Sequence, residues 1–279
     1  MKRLSVWIAI AAAGQSRRMG MPKQLLPIDG VPMLRHVIRR VIAARGELDL
    51  AALRGCPCAA ADLEAADRSE PERPPGCPHA APGAAAPDLP APAQTRGCPE
   101  RPSGGATNGA AGSGSECAGG LQQAQLQVAV IAADDPELRE RCEEAGVRWI
   151  VNPETRQGLS STIRTAVLHA EREDAEALLI LLGDQPDIDP SVVMMAVKLY
   201  LAEQPVIIQA KYADGPGHPV LFDRRLWPEL LQLQGDCGAR ALIRSYREFV
   251  RYVESPARAP VDLDTPEEYA AYMRRRGGI

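Results

Sequence analysis

The sequence has no hydrophobic run long enough to cross a membrane and no excess of either charge. Its 32 lysine and arginine residues nearly balance 36 aspartate and glutamate residues, which leaves a formal net charge of −4. This balance argues against nucleic acid or an anionic membrane as a partner. Seven cysteines make an odd number, and five fall in one segment, so they do not suggest a disulfide framework. We therefore expect a reducing, cytoplasmic location.

Residues 51–120 lack almost every side chain that builds a hydrophobic core. They contain no valine, isoleucine, methionine or aromatic residue and only three leucines, whereas proline, glycine and alanine dominate. Such a segment cannot bury enough apolar surface to offset its ordering entropy. We predict a disordered, low-complexity insertion at 46–125 within a single domain formed by residues 1–45 and 126–279. An alternative is a small zinc site in the insertion, with candidate ligands Cys56, Cys58, Cys77 and His79 at unusually tight spacings.

Outside the insertion, apolar runs alternate with segments of helical periodicity, such as residues 31–44. This alternation predicts a three-layer α/β/α fold with a mostly parallel sheet. The insertion follows a helix and precedes a strand, so we expect it at the rim opposite the carboxyl ends of the strands. Apolar runs predict strands at 4–13, 127–132, 147–151, 177–182, 206–210 and 219–222, the last of them antiparallel or at an edge.

The first apolar run opens into a basic loop, Gly14 to Lys23. Glycine and serine let the backbone turn sharply and direct several N–H groups at one anion, while Arg17, Arg18 and Lys23 add positive charge. A strand that opens into such a loop predicts a polyphosphate site. The loop matches neither the Walker pattern nor the dinucleotide-binding glycine pattern. The alternative interpretation is a basic surface turn.

The amino-terminal residues also have a second interpretation. Lys2 and Arg3 precede a short apolar run that ends in alanines, a pattern typical of a secretory signal with cleavage near Ala13. The same run suits a fully buried parallel strand, which needs no polar alternation. We favour the strand, because the rest of the chain continues an α/β pattern and cleavage would leave the basic loop at a terminus.

Carboxylates follow two later segments at places where a ligand site is expected. Asp184 comes directly after the 177–182 strand, where it can hold Mg²⁺ together with substrate phosphates. Asp262 and Asp264 can supply a second carboxylate near the end of the chain. Asp264 or Thr265 can equally well cap the helix that follows them. Both roles remain open for this segment.

Two further clusters contain polar residues among glycines. Ser160 and Ser161 lie where a loop enters a helix, which suits a sugar hydroxyl or an anion but also a simple helix cap. Glycines surround His218, and Gly238 precedes Arg240, which indicates close approach of a ligand to the backbone. A lone histidine is more often structural, so His218 is not assigned as a catalytic base.

Five motifs occur here in the order found in one known family. By these motifs the chain resembles the MobA-like nucleotidyltransferases, and within them the molybdenum cofactor cytidylyltransferases. The resemblance covers everything except residues 46–125 and implies a Rossmann-like nucleotidyltransferase domain. Ala11 stands where leucine is usual and Thr162 where serine is common, and neither departure is expected to affect catalysis. The motifs are Ala12-Ala13-Gly14-x-Ser16-x-Arg18-Met19-Gly20-x-x-Lys23, Gly183-Asp184-Gln185-Pro186, Gly217-His218-Pro219-Val220, Gly235-Asp236-x-Gly238-Ala239-Arg240 and Asp262-x-Asp264-Thr265-Pro266.

The resemblance implies transfer of CMP from CTP to a molybdopterin-type molybdenum cofactor, with Mg²⁺ (Mn²⁺ as an alternative) as cofactor and a molybdoenzyme as the recipient of the product. Arg18, Lys23 and Asp184 would be catalytic, and the alanines and Gln185 indicate cytidine. The implied nucleotide-binding set is Ala12, Ala13, Gly14, Ser16, Arg18, Gly20, Lys23 and Gln185. The implied metal ligands are Asp184, Asp262 and Asp264, and the implied acceptor-binding set is Ser160, Ser161, His218, Gly238 and Arg240.

Two alternatives to this function remain at the level of sequence. The first is a nucleotidyltransferase that uses GTP or acts on another phosphate acceptor, such as a sugar or alcohol phosphate, since its loop and metal site would look alike. The second is a non-catalytic chaperone for the finished cofactor. The presence of Arg18, Lys23 and Asp184 favours catalysis, because a carrier needs no site for a metal and a triphosphate.

Overall fold

The computed structural model describes residues 4–14, 19–54, 125–235 and 238–277. Ser16 and Arg18 of the basic loop lie outside these residues, as does nearly all of the predicted insertion with its candidate zinc ligands. The disorder, the domain bounds and the zinc alternative therefore stay predictions. Within the described residues, no helix combines the length and the apolarity needed to cross a bilayer.

Seven strands form one sheet, and two short strands form a separate hairpin. The sheet order is β5-β4-β1-β6-β8-β7-β9, and β8 alone runs antiparallel to its neighbours. β2 and β3 pair only with each other. The strands are β1 (Ser5–Ala11), β2 (Pro27–Ile28), β3 (Val31–Pro32), β4 (Gln125–Ala132), β5 (Arg148–Val151), β6 (Ala177–Leu182), β7 (Ile207–Tyr212), β8 (Gly215–Asp223) and β9 (Val250–Glu254).

Helices cover both faces of the sheet, because alternate residues of the central strand β1 belong to different cores. Ile8 and its alternate neighbours pack in one core with α1, α2 and α4. Trp7 packs in the other core with α3 and α5. A strand buried on both faces needs no polar alternation, which explains its continuous apolar sequence. The helices are α1 (Met33–Arg54), α2 (Pro136–Glu144), α3 (Leu159–Arg172), α4 (Pro190–Glu203), α5 (Trp227–Leu230), α6 (Arg240–Ser245) and α7 (Pro266–Arg275).

The predicted three-layer, mostly parallel fold is confirmed, and so is the interpretation of the first apolar run as a strand. The strand predicted at 219–222 is antiparallel, as expected, but it lies inside the sheet between β6 and β7. The helical periodicity noted at residues 31–44 corresponds to α1, which continues to Arg54.

Candidate functional site

The candidate site lies at the carboxyl ends of β1 and β6. A single turn of 3₁₀ helix at Lys23–Leu25 brings Lys23 back over this edge after the basic loop. Lys23 Nζ lies 2.5 Å from Asp184 Oδ2 and 2.5 Å from Asp264 Oδ1. Three segments that are far apart in sequence therefore meet at one ammonium group. Loops beyond the carboxyl ends of parallel strands are where such folds bind ligands.

Lys23 is held in its charged form although it is buried. Only 9% of its side chain is exposed. Burial alone would lower the pKa of Lys23, but the carboxylates of Asp184 and Asp264 outweigh it and raise the pKa above its ordinary value. A buried ammonium with two carboxylate partners fits a site that handles dense negative charge.

Asp264 does not cap the helix that follows it. Thr265 is the cap of α7, since its hydroxyl accepts a hydrogen bond from the Glu268 backbone N–H at 3.2 Å. The Glu268 carboxylate in turn accepts from the backbone N–H of Thr265 at 2.9 Å, which completes a capping box. The carboxylate of Asp264 is thus available to Lys23, and the ambiguity that the sequence left is resolved in favour of the site.

The residue between the two candidate metal aspartates anchors this segment. Leu263 is fully buried, and its backbone N–H donates to the Asp184 carbonyl at 3.2 Å. Its side chain joins a small separate core with Leu26, Ile28 and Met33 of the segment that follows Lys23. Burial of this leucine therefore fixes Asp264 against both Lys23 and Asp184.

Asp262 and Asp264 point to different partners. Gln185 donates from its side-chain nitrogen to Asp262 Oδ1 at 2.7 Å. Burial, together with the nearby charges of Asp184 and Asp264, raises the pKa of Asp262. Asp264 is thus the one that pairs with Lys23, while Asp262 lies near enough to Asp184 for its charge to act on it.

The oxygen ligands suit a hard divalent cation that binds with substrate. Asp184 Oδ1 is buried and accepts no hydrogen bond from any residue that the structure describes. Among the described residues, no group of three or more histidine, cysteine, aspartate or glutamate side chains is arranged to hold a metal ion by itself. Mg²⁺ commonly binds through only one or two carboxylates, with phosphate oxygens and water completing its shell. Asp184 and Asp264 fit that mode.

A cleft of about 440 Å³ is lined by Pro22 and Gln24, the chain neighbours of Lys23, although Lys23, Asp184 and Asp264 do not line it themselves. One wall consists of the start and end of the basic loop, including Ala12, Gly14 and Gly20. Gln24 supports this wall by donating to the Ala12 carbonyl at 2.7 Å. Ala13 is buried next to it. Of the expected nucleotide-binding residues, Ala12, Gly14 and Gly20 thus line one cavity.

The opposite wall of the cleft was missed by the sequence analysis. It is formed by residues 132–135, where β4 ends, and it contributes Asp134 and Asp135. Asp135 caps α2 by accepting from the Leu138 backbone N–H at 3.1 Å. The signal available in the sequence was the position of these acidic residues directly after a predicted strand.

The serines expected to bind an acceptor are engaged inside the protein. The Ser160 hydroxyl donates to the Gly235 carbonyl at 2.5 Å, and the Ser161 hydroxyl donates to the Gly158 carbonyl at 2.8 Å. Asn152 donates to Ser161 Oγ at 2.9 Å. The Ser160 bond ties the start of α3 to the loop before α6, and the Ser161 bonds tie it to the segment that follows β5. The serines therefore shape this side of the site with their internal hydrogen bonds.

Gly238 is required where it stands. Its φ is +55°, and a Cβ there would lie 2.8 Å from Leu159 Cδ2. Arg240 opens α6 two residues later with an exposed side chain. The Gly238 region thus packs against the start of α3 and presents an arginine to solvent.

His218 lies against the end of β6. Its Nδ1 is 3.3 Å from the Ile180 carbonyl. Burial lowers the pKa of His218 and outweighs the hydrogen bond to the Ile180 carbonyl and the charge of Asp184, which raise it, and the charge of Arg240 lowers it slightly further. The imidazole is therefore neutral at pH 7. This neutral state suits a structural or binding role in the site.

The sequence matches one known domain family over most of its length. The model of the MobA-like NTP transferase domain matches residues 8–64 and 115–250. The chain belongs to this family. It is accordingly a nucleotidyltransferase with an NTP as substrate.

Individual proteins resemble this chain in sequence or in fold. The purine catabolism protein PucB of Bacillus subtilis (strain 168) is 28% identical over 153 residues, which are 48% of this chain and 73% of PucB. Two solved structures share the fold. One is Rv0371c of Mycobacterium tuberculosis H37Rv in complex with manganese, with 20% identity, a TM-score of 0.56 and coverage of 98% of this chain and 100% of that one. The other is molybdopterin-guanine dinucleotide biosynthesis protein A of Archaeoglobus fulgidus, with 12% identity, a TM-score of 0.50 and the same coverage.

One arginine at the end of the chain ties together the segments that carry the MobA-like site. Arg276 donates to Asp29 in the β2–β3 turn at 2.7 Å and to Asp187 in the loop after β6 at 3.2 Å. It also lies over the Tyr272 ring of α7, with its guanidinium carbon 5.6 Å from the ring centroid. These three contacts link the segments that follow Lys23, Asp184 and Asp264.

Replacing Arg276 with alanine is expected to lower the free energy of unfolding by about 1 kcal/mol, because a surface ion-pair network and a cation–π contact are lost together. Urea unfolding measures the change. Arg275→Ala is the matched control, since that neighbouring side chain is exposed at the same helix end. Equal loss in both variants would show that the three contacts of Arg276 contribute nothing of their own.

Proposed function

We propose that this domain transfers CMP from CTP to the terminal phosphate of a molybdopterin-type molybdenum cofactor and releases pyrophosphate. The observation that carries the proposal is the meeting of Lys23 with Asp184 and Asp264 beside the cleft. The choice of CTP and of the acceptor rests on the order of the sequence motifs. The cysteine usage supports a cytoplasmic location.

In the proposed reaction, an oxygen of the acceptor phosphate forms a bond to the α-phosphorus of CTP. The bond from this phosphorus to the bridging oxygen breaks, and the electron pair leaves with pyrophosphate. The nucleophile is already an anion, so no general base is needed. The protein contributes positioning and neutralisation of charge. Because no general base is needed, a neutral His218 is consistent with the proposed mechanism.

Lys23 and Arg18 are the proposed partners of the triphosphate. Lys23 carries a fixed positive charge at the edge of the cleft, and its Cε would lie 3.7 Å from a Cβ placed on Gly14. The backbone of the loop from Gly14 to Gly20, with Ser16, would donate N–H groups to phosphate oxygens. Together these groups would offset the charge that builds on the leaving pyrophosphate.

Asp184 and Asp264 are the proposed holders of Mg²⁺, or of Mn²⁺ in its place, with Asp262 as a neighbouring carboxylate. When bound, such a cation neutralises phosphate oxygens and orients the α-phosphorus. Two observations support this assignment: the unpartnered buried oxygen of Asp184 and the manganese in the Rv0371c structure. Gln185 would fix Asp262 through their hydrogen bond.

The remaining site residues are proposed to select the substrates. Ala12 and Ala13 would lie near the base of the nucleotide, where small side chains leave room in the cleft. Gln185 would favour cytidine over guanosine, as the family resemblance implies. Arg240 would contact the phosphate of the acceptor, since its guanidinium is exposed and matches phosphate geometry. Ser160, Ser161, His218 and Gly238 would shape the acceptor side of the site.

Pyrophosphate release from each NTP, with and without molybdopterin cofactor, tests the proposal. We expect release that depends on CTP, on the cofactor and on Mg²⁺ or Mn²⁺. Release with GTP, or only with a sugar or alcohol phosphate as acceptor, would replace the proposed substrates. No release with any combination, from protein that binds the cofactor, would indicate a carrier instead of an enzyme.

A further inference from the structure

We propose that Lys23 and the divalent cation compete for the same two carboxylates, so that the cation enters only as the ammonium moves towards the phosphate-binding loop. The inference rests on the proposed function in one respect, namely that a divalent cation binds at Asp184 and Asp264. It adds a step that couples cation binding to nucleotide binding.

The first part of the argument is that Lys23 occupies the carboxylates. Its Nζ is 2.5 Å from one oxygen of Asp184 and 2.5 Å from one oxygen of Asp264. The side chains of Lys23 and Asp184 are only 9% and 17% exposed. Two carboxylates this close to each other in a partly buried site repel unless a positive charge lies between them. Lys23 supplies that charge within the protein itself.

The second part is that the ammonium and the cation cannot share these oxygens. A divalent cation on the same carboxylates would face the ammonium across a few ångströms in a medium that screens charge weakly, so repulsion would be large. Lysine carries its charge on a flexible four-carbon stem and can leave without a change in the backbone. The two positive groups therefore exchange.

The third part is that Lys23 has a destination close by. Its Cε lies beside Gly14, where an added Cβ would be in van der Waals contact with it at 3.7 Å. Gly14 begins the basic loop and lines the cleft. A triphosphate in this loop would give the displaced ammonium a new anionic partner after a short movement of the side chain. Nucleotide would thereby lower the free energy needed to displace Lys23.

The consequence is cooperative binding. Without nucleotide, the cation must displace Lys23 from two ion pairs, so its affinity is low. With nucleotide bound, Lys23 has phosphate oxygens to pair with, and the affinity for the cation rises. By linkage the cation raises the affinity for nucleotide by the same factor. Lys23 would therefore keep the charges of the two carboxylates neutralised until both nucleotide and cation are present.

Titration with Mn²⁺ in the absence of nucleotide, followed by the EPR signal of free Mn²⁺, tests the exchange. In Lys23→Met the competitor is gone, and we expect Mn²⁺ to bind about tenfold more tightly than to the unmodified protein, within the usual range of coupling factors. The enhancement of Mn²⁺ affinity by a non-hydrolysable CTP analogue should shrink in this variant. Lys198→Met, at an exposed position on α4, is the control and should bind Mn²⁺ as the unmodified protein does.

Unchanged or weaker binding of Mn²⁺ to a folded Lys23→Met protein would overturn the proposal. If that variant does not fold, Lys23→Gln, which keeps a hydrogen-bond donor near the carboxylates, is titrated in its place with the same expected direction. Failure of CMP transfer by the unmodified protein, together with tighter Mn²⁺ binding to Lys23→Met, would refute the proposed function and leave the exchange intact. Normal CMP transfer by the unmodified protein, with the same Mn²⁺ affinity in Lys23→Met, would do the reverse.

Discussion

Asp184→Asn should reduce the proposed CMP transfer, measured at saturating CTP and Mg²⁺, by about a hundredfold to a thousandfold, the usual loss when a group that stabilises transition-state charge is removed. Asparagine has nearly the same shape, but it lacks the negative charge that a divalent cation needs. In the protein without ligands, Asp184 Oδ2 pairs with Lys23, while Oδ1 is buried without a partner among the described residues. Turnover is measured as pyrophosphate release, and Mn²⁺ affinity is measured in parallel.

Asp189→Asn is the matched control for this prediction. Asp189 follows Asp184 in the same loop and caps α4 by accepting from the Ser191 backbone N–H at 2.8 Å. Asparagine caps helices about as well as aspartate, so turnover and stability should stay close to those of the unmodified protein. If Asp184→Asn keeps more than about a tenth of the turnover while Asp189→Asn is normal, the assignment of Asp184 to the cation is wrong.

The location of the site could be predicted from the sequence, because parallel strands impose it. The apolar runs that become β1 and β6 are buried on both faces, and each is followed directly by the polar residues of interest. Adjacent parallel strands place their carboxyl ends at one edge. Lys23 and Asp184 could therefore be expected to face each other before any coordinates were known.

The choice between Asp262 and Asp264 could not be predicted in the same way. Both aspartates flank the buried Leu263, so its burial does not distinguish them. The choice depends on their long-range partners, Gln185 for Asp262 and Lys23 for Asp264. The residue that caps α7, however, could have been identified from the sequence. Thr265 with Glu268 three residues later is the pattern of a capping box, and it assigns the cap to the threonine.

Contacts between distant segments account for the rest of what the sequence did not predict. The place of β8 inside the sheet depends on pairing with both β6 and β7, and an apolar run alone does not specify its neighbours. The internal hydrogen bonds of Ser160 depend on a loop that ends near Gly235. The wall formed by Asp134 becomes visible only when β4 lies beside β1.

Gly183→Ala should damage both stability and function, because no room exists for a side chain where β6 ends. A Cβ on Gly183 would lie 3.0 Å from Ala12 Cβ, 3.2 Å from the Ala11 carbonyl oxygen and 3.3 Å from a methyl carbon of Leu34. The Gly183 N–H also donates to that carbonyl at 2.9 Å, which fixes β6 against the end of β1. Backbone on one side and a packed core on the other leave little freedom to adjust, so we expect a loss of about 1–3 kcal/mol in the free energy of unfolding.

The same clash would separate the two halves of the site, since Asp184 follows Gly183 and Ala12 lines the cleft. Turnover of the folded Gly183→Ala protein should therefore fall together with its Mn²⁺ affinity, in contrast to a change that affects stability alone.

Gly46→Ala is the control, and we expect it to change the free energy of unfolding in the opposite direction. Gly46 lies in α1 with nothing within 4 Å of an added Cβ, so alanine should raise stability by up to about 1 kcal/mol and leave turnover unchanged. Urea unfolding of both variants at equal temperature measures the two changes in the free energy of unfolding. A Gly183→Ala protein as stable and active as the unmodified one would mean that the ends of β1 and β6 can move apart without cost to the site.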